Sequence, residues 1–315
     1  MNKRLPQIDY LKCIFIILMV IFHLVYVGDK FPYAKQVVYT FHMSAFLVLS
    51  GYLANMNKDT SRFINNIKWL FVPYAVMESG YIIMASILPI REHIENLTVG
   101  LFFEKLLLHP LGPYWYLHTL IICYLIYYII NKLEKRIGLV SFICLLGVSF
   151  FCVSHFIHII SFDNAMYFLA GVLVRRYGIG FMSAFRPSWF AIIPIVLFCI
   201  FSSDEMNRAT LQGVVITYLT ISFALAFYPY LSSKIKRITL FIGENTLSIL
   251  LFSPIFTIIT KRFVNLFIFD STAILYTIVS LLFVLAGCFA IVWIMDRLHM
   301  SRWFCGKEKL LSVPQ

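Results

Sequence analysis

Tyr10-Leu11-Lys12-Cys13-Ile14-Phe15-Ile16-Ile17-Leu18-Met19-Val20-Ile21-Phe22-His23-Leu24-Val25-Tyr26-Val27 is the stretch on which the fold turns. It approaches the roughly 20 apolar residues that a membrane-spanning helix needs. Read as a helix, the eleven residues from Lys12 to His23 make about three turns. That puts both side chains on one face, about 16 Å apart along the axis. A cation and an imidazole inside a span are costly, and such groups mark function by default. Asp9 extends the same stripe towards the cytoplasmic end of the helix.

The rest of the chain agrees with a membrane reading. Of its 315 residues, 61% are hydrophobic and only 13% charged, against about 25% charged in soluble domains. The formal net charge of +11 does not point to nucleic acid, because the basic residues fall in small groups between apolar runs. The seven cysteines include no CxxC pair and read as small buried hydrophobes. The first run lacks a small-residue cleavage site and reads as a retained span.

About ten spans are expected, over 10–27, 37–55, 69–90, 114–131, 139–160, 164–175, 188–202, 209–230, 239–260 and 272–295. With both termini in the cytoplasm, each inner segment carries three or more basic residues, beginning with Lys3, Arg4 and Lys12, then Lys58, Arg62 and Lys68, then Lys132, Lys135 and Arg136. The outer segments keep fewer, among them Lys30, Lys35, Arg91 and Arg208, as the positive-inside rule requires. The fold class is therefore an all-α integral membrane protein, one bundle over 1–315 with no separate soluble domain. Its expected location is the cell (inner) membrane.

Chemistry-bearing residues cluster early. His42, in Tyr39-Thr40-Phe41-His42-Met43, opens the second span at a depth similar to that of His23, so the two imidazoles can face each other across an antiparallel pair. Ser50-Gly51 offers a small surface to another helix or to an extended ligand. Arg62 and Lys68 stand in a connection ending at Val72-Pro73-Tyr74; they suit donor phosphates or simply fix topology. Glu78 can hold an imidazole in one tautomer or satisfy a neighbouring helix. Trp115, Tyr116 and His118 form an aromatic belt or stack on a sugar. His155, His158 and Asp163 lack the partners a metal site needs, and no metal is expected.

Taken in order, Lys12 and His23 with ten residues between them, Phe41-His42-Met43, Leu49-Ser50-Gly51-Tyr52-Leu53 and the basic segment before Pro73-Tyr74 resemble the acyltransferase-3 family of membrane acyltransferases, in its fucose 4-O-acetylase-like branch. Trp115-Tyr116-Leu117, Phe168-Leu169-Ala170-Gly171 followed by Arg175-Arg176, Gly243-Glu244-Asn245-Thr246-Leu247 and Leu251-Phe252-Ser253-Pro254 extend the likeness over roughly residues 5–300. Two departures stand out. Ser253 replaces a histidine found in many members, and the arginine pair before the third span is reduced to Arg62 and Lys68.

The resemblance implies transfer of an acyl group, usually acetyl from cytoplasmic acetyl-CoA, to a hydroxyl of a cell-surface or lipid-linked glycan. Lys12, Arg62 and Lys68 are then the expected donor-phosphate ligands. His23 is the expected general base or acyl carrier, with His42 as a second proton carrier or acceptor guide. Glu78, Trp115, Tyr116 and His118 are expected near the acceptor. Membrane lipid, a second copy of the chain or a polysaccharide-biosynthesis machinery are the expected partners, and nucleic acid is not. The rivals are a succinyl-CoA-type donor and a transporter of a glycan or small polar solute. A transporter would carry inverted repeats with matching broken helices, and the sequence shows neither.

Overall fold

The computed structural model describes residues 5–56, 59–88, 92–201 and 206–312, and of 134–137 the backbone alone. Lys3, Arg4, Lys58 and Arg91, and the side chains of Lys135 and Arg136, lie outside the described residues, as do the ends of the expected spans 69–90 and 188–202. The described chain is helical, with no strand.

In order, the helices are α1 (Pro6–His23), α2 (Val25–Lys30), α3 (Pro32–Leu53), α4 (Thr60–Ile87), α5 (Val99–Leu107), α6 (Trp115–Cys152), α7 (Phe162–Arg176), α8 (Phe181–Ala184), α9 (Ile192–Phe201), α10 (Leu211–Phe227), α11 (Ser233–Glu244), α12 (Thr246–Thr260), α13 (Ile274–Arg297) and α14 (Met300–Cys305). Among the described residues, seven stretches are long and apolar enough to cross a membrane: Pro6–His23, Thr60–Ile87, Val99–Leu133, Gly138–Ile157, Leu211–Tyr230, Thr246–Phe267 and Ile274–Arg297. The protein is thus a multi-pass membrane protein. The division of α6 into two spans falls at Gly138, whose φ of 73° breaks the helix. The remaining expected spans, 37–55, 164–175 and 188–202, coincide with α3, α7 and α9. Of these, α7 and α9 are short (15 and 10 residues), while α3 has the length but carries Thr40, His42, Ser44 and Ser50.

Two expected spans need correction. The run 10–27 is not one helix: α1 stops at His23, Leu24 is extended (ψ 106°), and α2 begins at Val25. The run 239–260 is likewise broken at Asn245. Its side-chain amide donates to the Phe241 carbonyl (2.7 Å), a local bond that competes with helix continuation. A second bond from the same amide reaches the Ser312 carbonyl (2.8 Å).

The described chain divides into two compact units, one of Met1–Phe46, Ile179–Ser301 and Glu308–Gln315, the other of Leu47–Gly178 and Arg302–Lys307. In the first, α1 packs most extensively on α11 and also on α12. Gly243 permits the closest approach, since a Cβ there would lie 1.8 Å from the Asp9 carbonyl oxygen. Phe15 meets Phe41 and Phe46 (ring centroids 6.3 and 6.2 Å) while His23 meets Tyr39 (5.9 Å). That order makes α1 and the first half of α3 antiparallel.

In the second unit, α6 packs on α4 and α7. The Phe168 ring is fully buried and meets Tyr124 and Phe150 edge-on. Arg175 donates to the Tyr52 carbonyl (2.9 Å), satisfying one of the acceptors that the end of α3 leaves open.

Candidate active site

His23 is the last residue of α1, where the open carbonyls of a helix end favour an imidazole. Its Nδ1 lies 2.7 Å from the Met19 carbonyl oxygen. In α3, His42 repeats the arrangement, with Nδ1 2.7 Å from the Val38 carbonyl oxygen. A carbonyl only accepts, so Nδ1 carries the hydrogen in each ring and Nε2 keeps its lone pair. Both imidazoles therefore present a basic nitrogen away from their own helix. His42 is buried and its Nε2 has no partner among the described residues; His23 is half-exposed.

Between them lies Tyr39. Its ring is 5.9 Å from that of His23 and 5.2 Å from that of His42, tilted by 34° and 37°. The Tyr39 hydroxyl donates to the Phe22 carbonyl (3.2 Å), tying α3 to the end of α1. Sequence reading missed Tyr39. The available signal was its position three residues before His42, on the same helix face.

At the other end of α1, Lys12 pairs with Asp9 (3.2 Å). Asp9 is buried and Lys12 half-exposed, and an ammonium has three donors, so Lys12 retains hydrogen-bonding capacity. Continuous helix between Lys12 and His23 sets their axial separation at about 16 Å.

The other expected site residues belong to the second unit. Arg62 and Lys68 are exposed; Arg62 stands 3.9 Å from Asp59, and the Lys68 ammonium lies over the Trp69 ring. Glu78 is fully buried, and its Oε1 accepts from the Leu111 N–H (2.6 Å) while Oε2 has no partner among the described residues. Next along the chain, the Gly112 N–H donates to Glu92 Oε2 (2.6 Å). The two carboxylates thus hold consecutive amides of the loop entering α6. Both imidazoles of the first unit are oriented by backbone carbonyls, and the carboxylate of Glu78 by a backbone amide.

His118 is buried, and its Nε2 donates to the Leu107 carbonyl (2.8 Å). Tyr116 is buried too and shares a 2.8 Å hydrogen bond with Ser50; Trp115 stands edge-on to Tyr116 and is half-buried. The small surface at Ser50-Gly51 receives a helix: α7 crosses there. Ser253 is buried in α12. The rings of His155 and His158 are 6.4 Å apart. Among the described residues, no group of three or more His, Cys, Asp or Glu could hold a metal ion.

A family model described as an acyltransferase domain, that of the acyltransferase-3 family, matches residues 5–293. The chain belongs to this family. The match takes in α1 and α3 with both imidazoles, and nearly all of α13. No curated protein and no solved structure matches the chain. The acyltransferase character thus rests on the family match, in a protein whose apolar helices make it multi-pass.

Proposed function

We propose that this acyltransferase moves acetyl from acetyl-CoA, entering from the cytoplasm, to a hydroxyl of a cell-surface or lipid-linked glycan, with His23 as the general base. One observation carries the reading. The His23 imidazole ends its helix with Nδ1 bonded to the Met19 carbonyl, so that a basic Nε2 points away from the helix backbone beside Tyr39 and His42.

A sugar hydroxyl becomes nucleophilic as its proton is withdrawn, and a neutral imidazole suits that task. His23 Nε2 takes the proton as the hydroxyl oxygen bonds to the acyl carbon. When the carbon–sulfur bond breaks, His23 returns the proton to the departing sulfur. The Nε2 of buried His42, without a partner among the described residues, is an acceptor that a hydroxyl can satisfy, which suits His42 to orienting the acceptor. Acetyl-CoA, once bound, supplies the thioester carbonyl and the thiolate leaving group. Its phosphates call for cations. Lys12 keeps donors beyond the one given to Asp9, and Arg62 and Lys68 expose theirs.

The reading includes ten spans in one inner-membrane bundle, with both termini cytoplasmic. The three helices beyond the seven long apolar stretches are α3, α7 and α9. At 22 residues, α3 is about 33 Å long, enough to cross a hydrocarbon core of about 30 Å.

The test uses purified protein in nanodiscs with radiolabelled acetyl-CoA and no acceptor, comparing wild type with His23→Ala. Slow thioester hydrolysis in wild type that disappears in the variant is the expected result. A wild-type protein that neither binds CoA nor consumes the thioester sinks the proposal. Label retained on the protein would move the mechanism to an acyl-imidazole on His23.

A further inference from the structure

Lys35 lies one helical turn before Tyr39 on α3, and its ammonium sits 5.5 Å from the centroid of the Tyr39 ring. The same ring lies against both imidazoles. Lys35 is half-buried and has no ion-pair partner among the described residues. It does not extend into solvent as lysines near helix ends commonly do. Instead it folds over α2 at Gly28: a Cβ there would meet the Lys35 Cδ and Nζ at 3.1 Å. Gly28 therefore leaves room for the ammonium beside the site.

Position decides what this cation serves. Along α3, Lys35 precedes His42 by seven residues, about 10 Å, and α3 runs antiparallel to α1. Lys35 therefore lies at the end of the helix pair remote from Lys12, beyond the imidazoles. A donor arriving from the Lys12 side meets His23 and His42 before Lys35. An acceptor arriving from the opposite side meets Lys35 first.

We propose that Lys35 binds an anionic group of the acceptor, so that the preferred acceptor is a glycan bearing a carboxylate or phosphate within about one sugar ring of the acylated hydroxyl. The inference rests on the acyl-transfer reading for the direction from which donor and acceptor enter. Its test is a binding measurement that does not need turnover. A charge-assisted hydrogen bond formed away from bulk water gives selectivity of about tenfold or more.

The experiment is isothermal titration of the full-length protein in nanodiscs with methyl β-D-glucuronide and methyl β-D-glucoside, for wild type, Lys35→Gln and Lys35→Arg. The expected result is tighter binding of the glucuronide by about tenfold or more. That preference disappears in Lys35→Gln and survives in Lys35→Arg. Gly28→Ala, which crowds the ammonium without removing it, weakens the preference. Equal binding of the two glycosides, including no binding of either, overturns the proposal, and so does a preference that Lys35→Gln retains. Repeating the titration in discs with and without phosphatidylglycerol separates sources of the anion. Lys35-dependent lipid binding with no glucuronide preference assigns the ammonium to a headgroup and overturns the glycan proposal. Thioester consumption, followed separately, reports on the acyl-transfer reading alone.

Discussion

Gly51 of α3 and Gly171 of α7 each press their backbone against the other's helix. A Cβ on Gly51 would fall 2.0 Å from the Phe168 carbonyl oxygen, and one on Gly171 would fall 2.0 Å from the Val48 carbonyl oxygen. Membrane helices gain much of their association from such close backbone approach, and here neither obstructing atom is a side chain that could swing away. Gly51→Ala or Gly171→Ala should therefore cost about 1–3 kcal/mol or more. The check is Tm by intrinsic fluorescence in detergent, with Gly80→Ala as the control. No atom lies within 4 Å of a Cβ at Gly80, so its Tm should stay the same or rise slightly.

His23→Ala should lower acetyl transfer by about 10²–10⁴-fold, the usual contribution of a positioned general base. His42→Ala should raise the KM for the acceptor, because the group lost is the one proposed to orient the hydroxyl. Initial rates over a grid of donor and acceptor concentrations separate the two. Equal effects of both variants on kcat alone would contradict this division of labour.

Glu78 tests whether the loop entering α6 depends on its carboxylate. Removing the acceptor leaves the Leu111 N–H unsatisfied, which costs about 1–3 kcal/mol when the group is buried. Glu78→Ala should lower Tm clearly, while Glu78→Gln keeps an oxygen for Leu111 and should lose less. Similar losses in both would mean that the charge, and not the hydrogen bond, is what the fold requires.

Asp270 lies between the last two of the seven long apolar stretches. Bonds from the Thr272 hydroxyl and the Leu275 amide (2.7 Å) hold its carboxyl below the usual carboxylate range. A depressed acid contributes stability that is present above its unfolded value, about 4, and lost as pH falls through the folded value. Hydrogen exchange at the Leu275 amide should accelerate as pH drops below about 4, beyond the intrinsic pH dependence of exchange. In Asp270→Asn that additional acid sensitivity should vanish.

Some of this was open to sequence reading and some was not. His23 and His42 could be found because imidazoles are conspicuous among Ile, Leu and Phe; the cost of burying them is visible without a fold. Tyr39 could not, since tyrosine is ordinary in such helices and its place between two rings depends on how α1 and α3 are paired. The helix end at His23 was equally hidden. Leu24 is a good helix former, and its extended backbone belongs to the tertiary arrangement. Asn245 breaks its helix through a bond to its own preceding turn, a tendency known for the residue type but masked here by the longer apolar runs that flank Glu244-Asn245-Thr246. The small pair Ser50-Gly51 was legible as a place of close approach, and only coordinates could say that a helix takes it.

The polarity of α3 bears on how the protein is made. Thr40, His42, Ser44 and Ser50 keep this 22-residue helix out of the set that composition alone marks as spanning. Insertion machinery selects segments by the summed transfer energy of their residues. In the proposed topology those polar residues weigh against insertion of α3 by itself, and α1 and the segments that follow help to hold it in the bilayer. The residues proposed for catalysis are thus a biogenesis liability, and a nascent chain interrupted after α3 would leave this helix without the later neighbours that retain it.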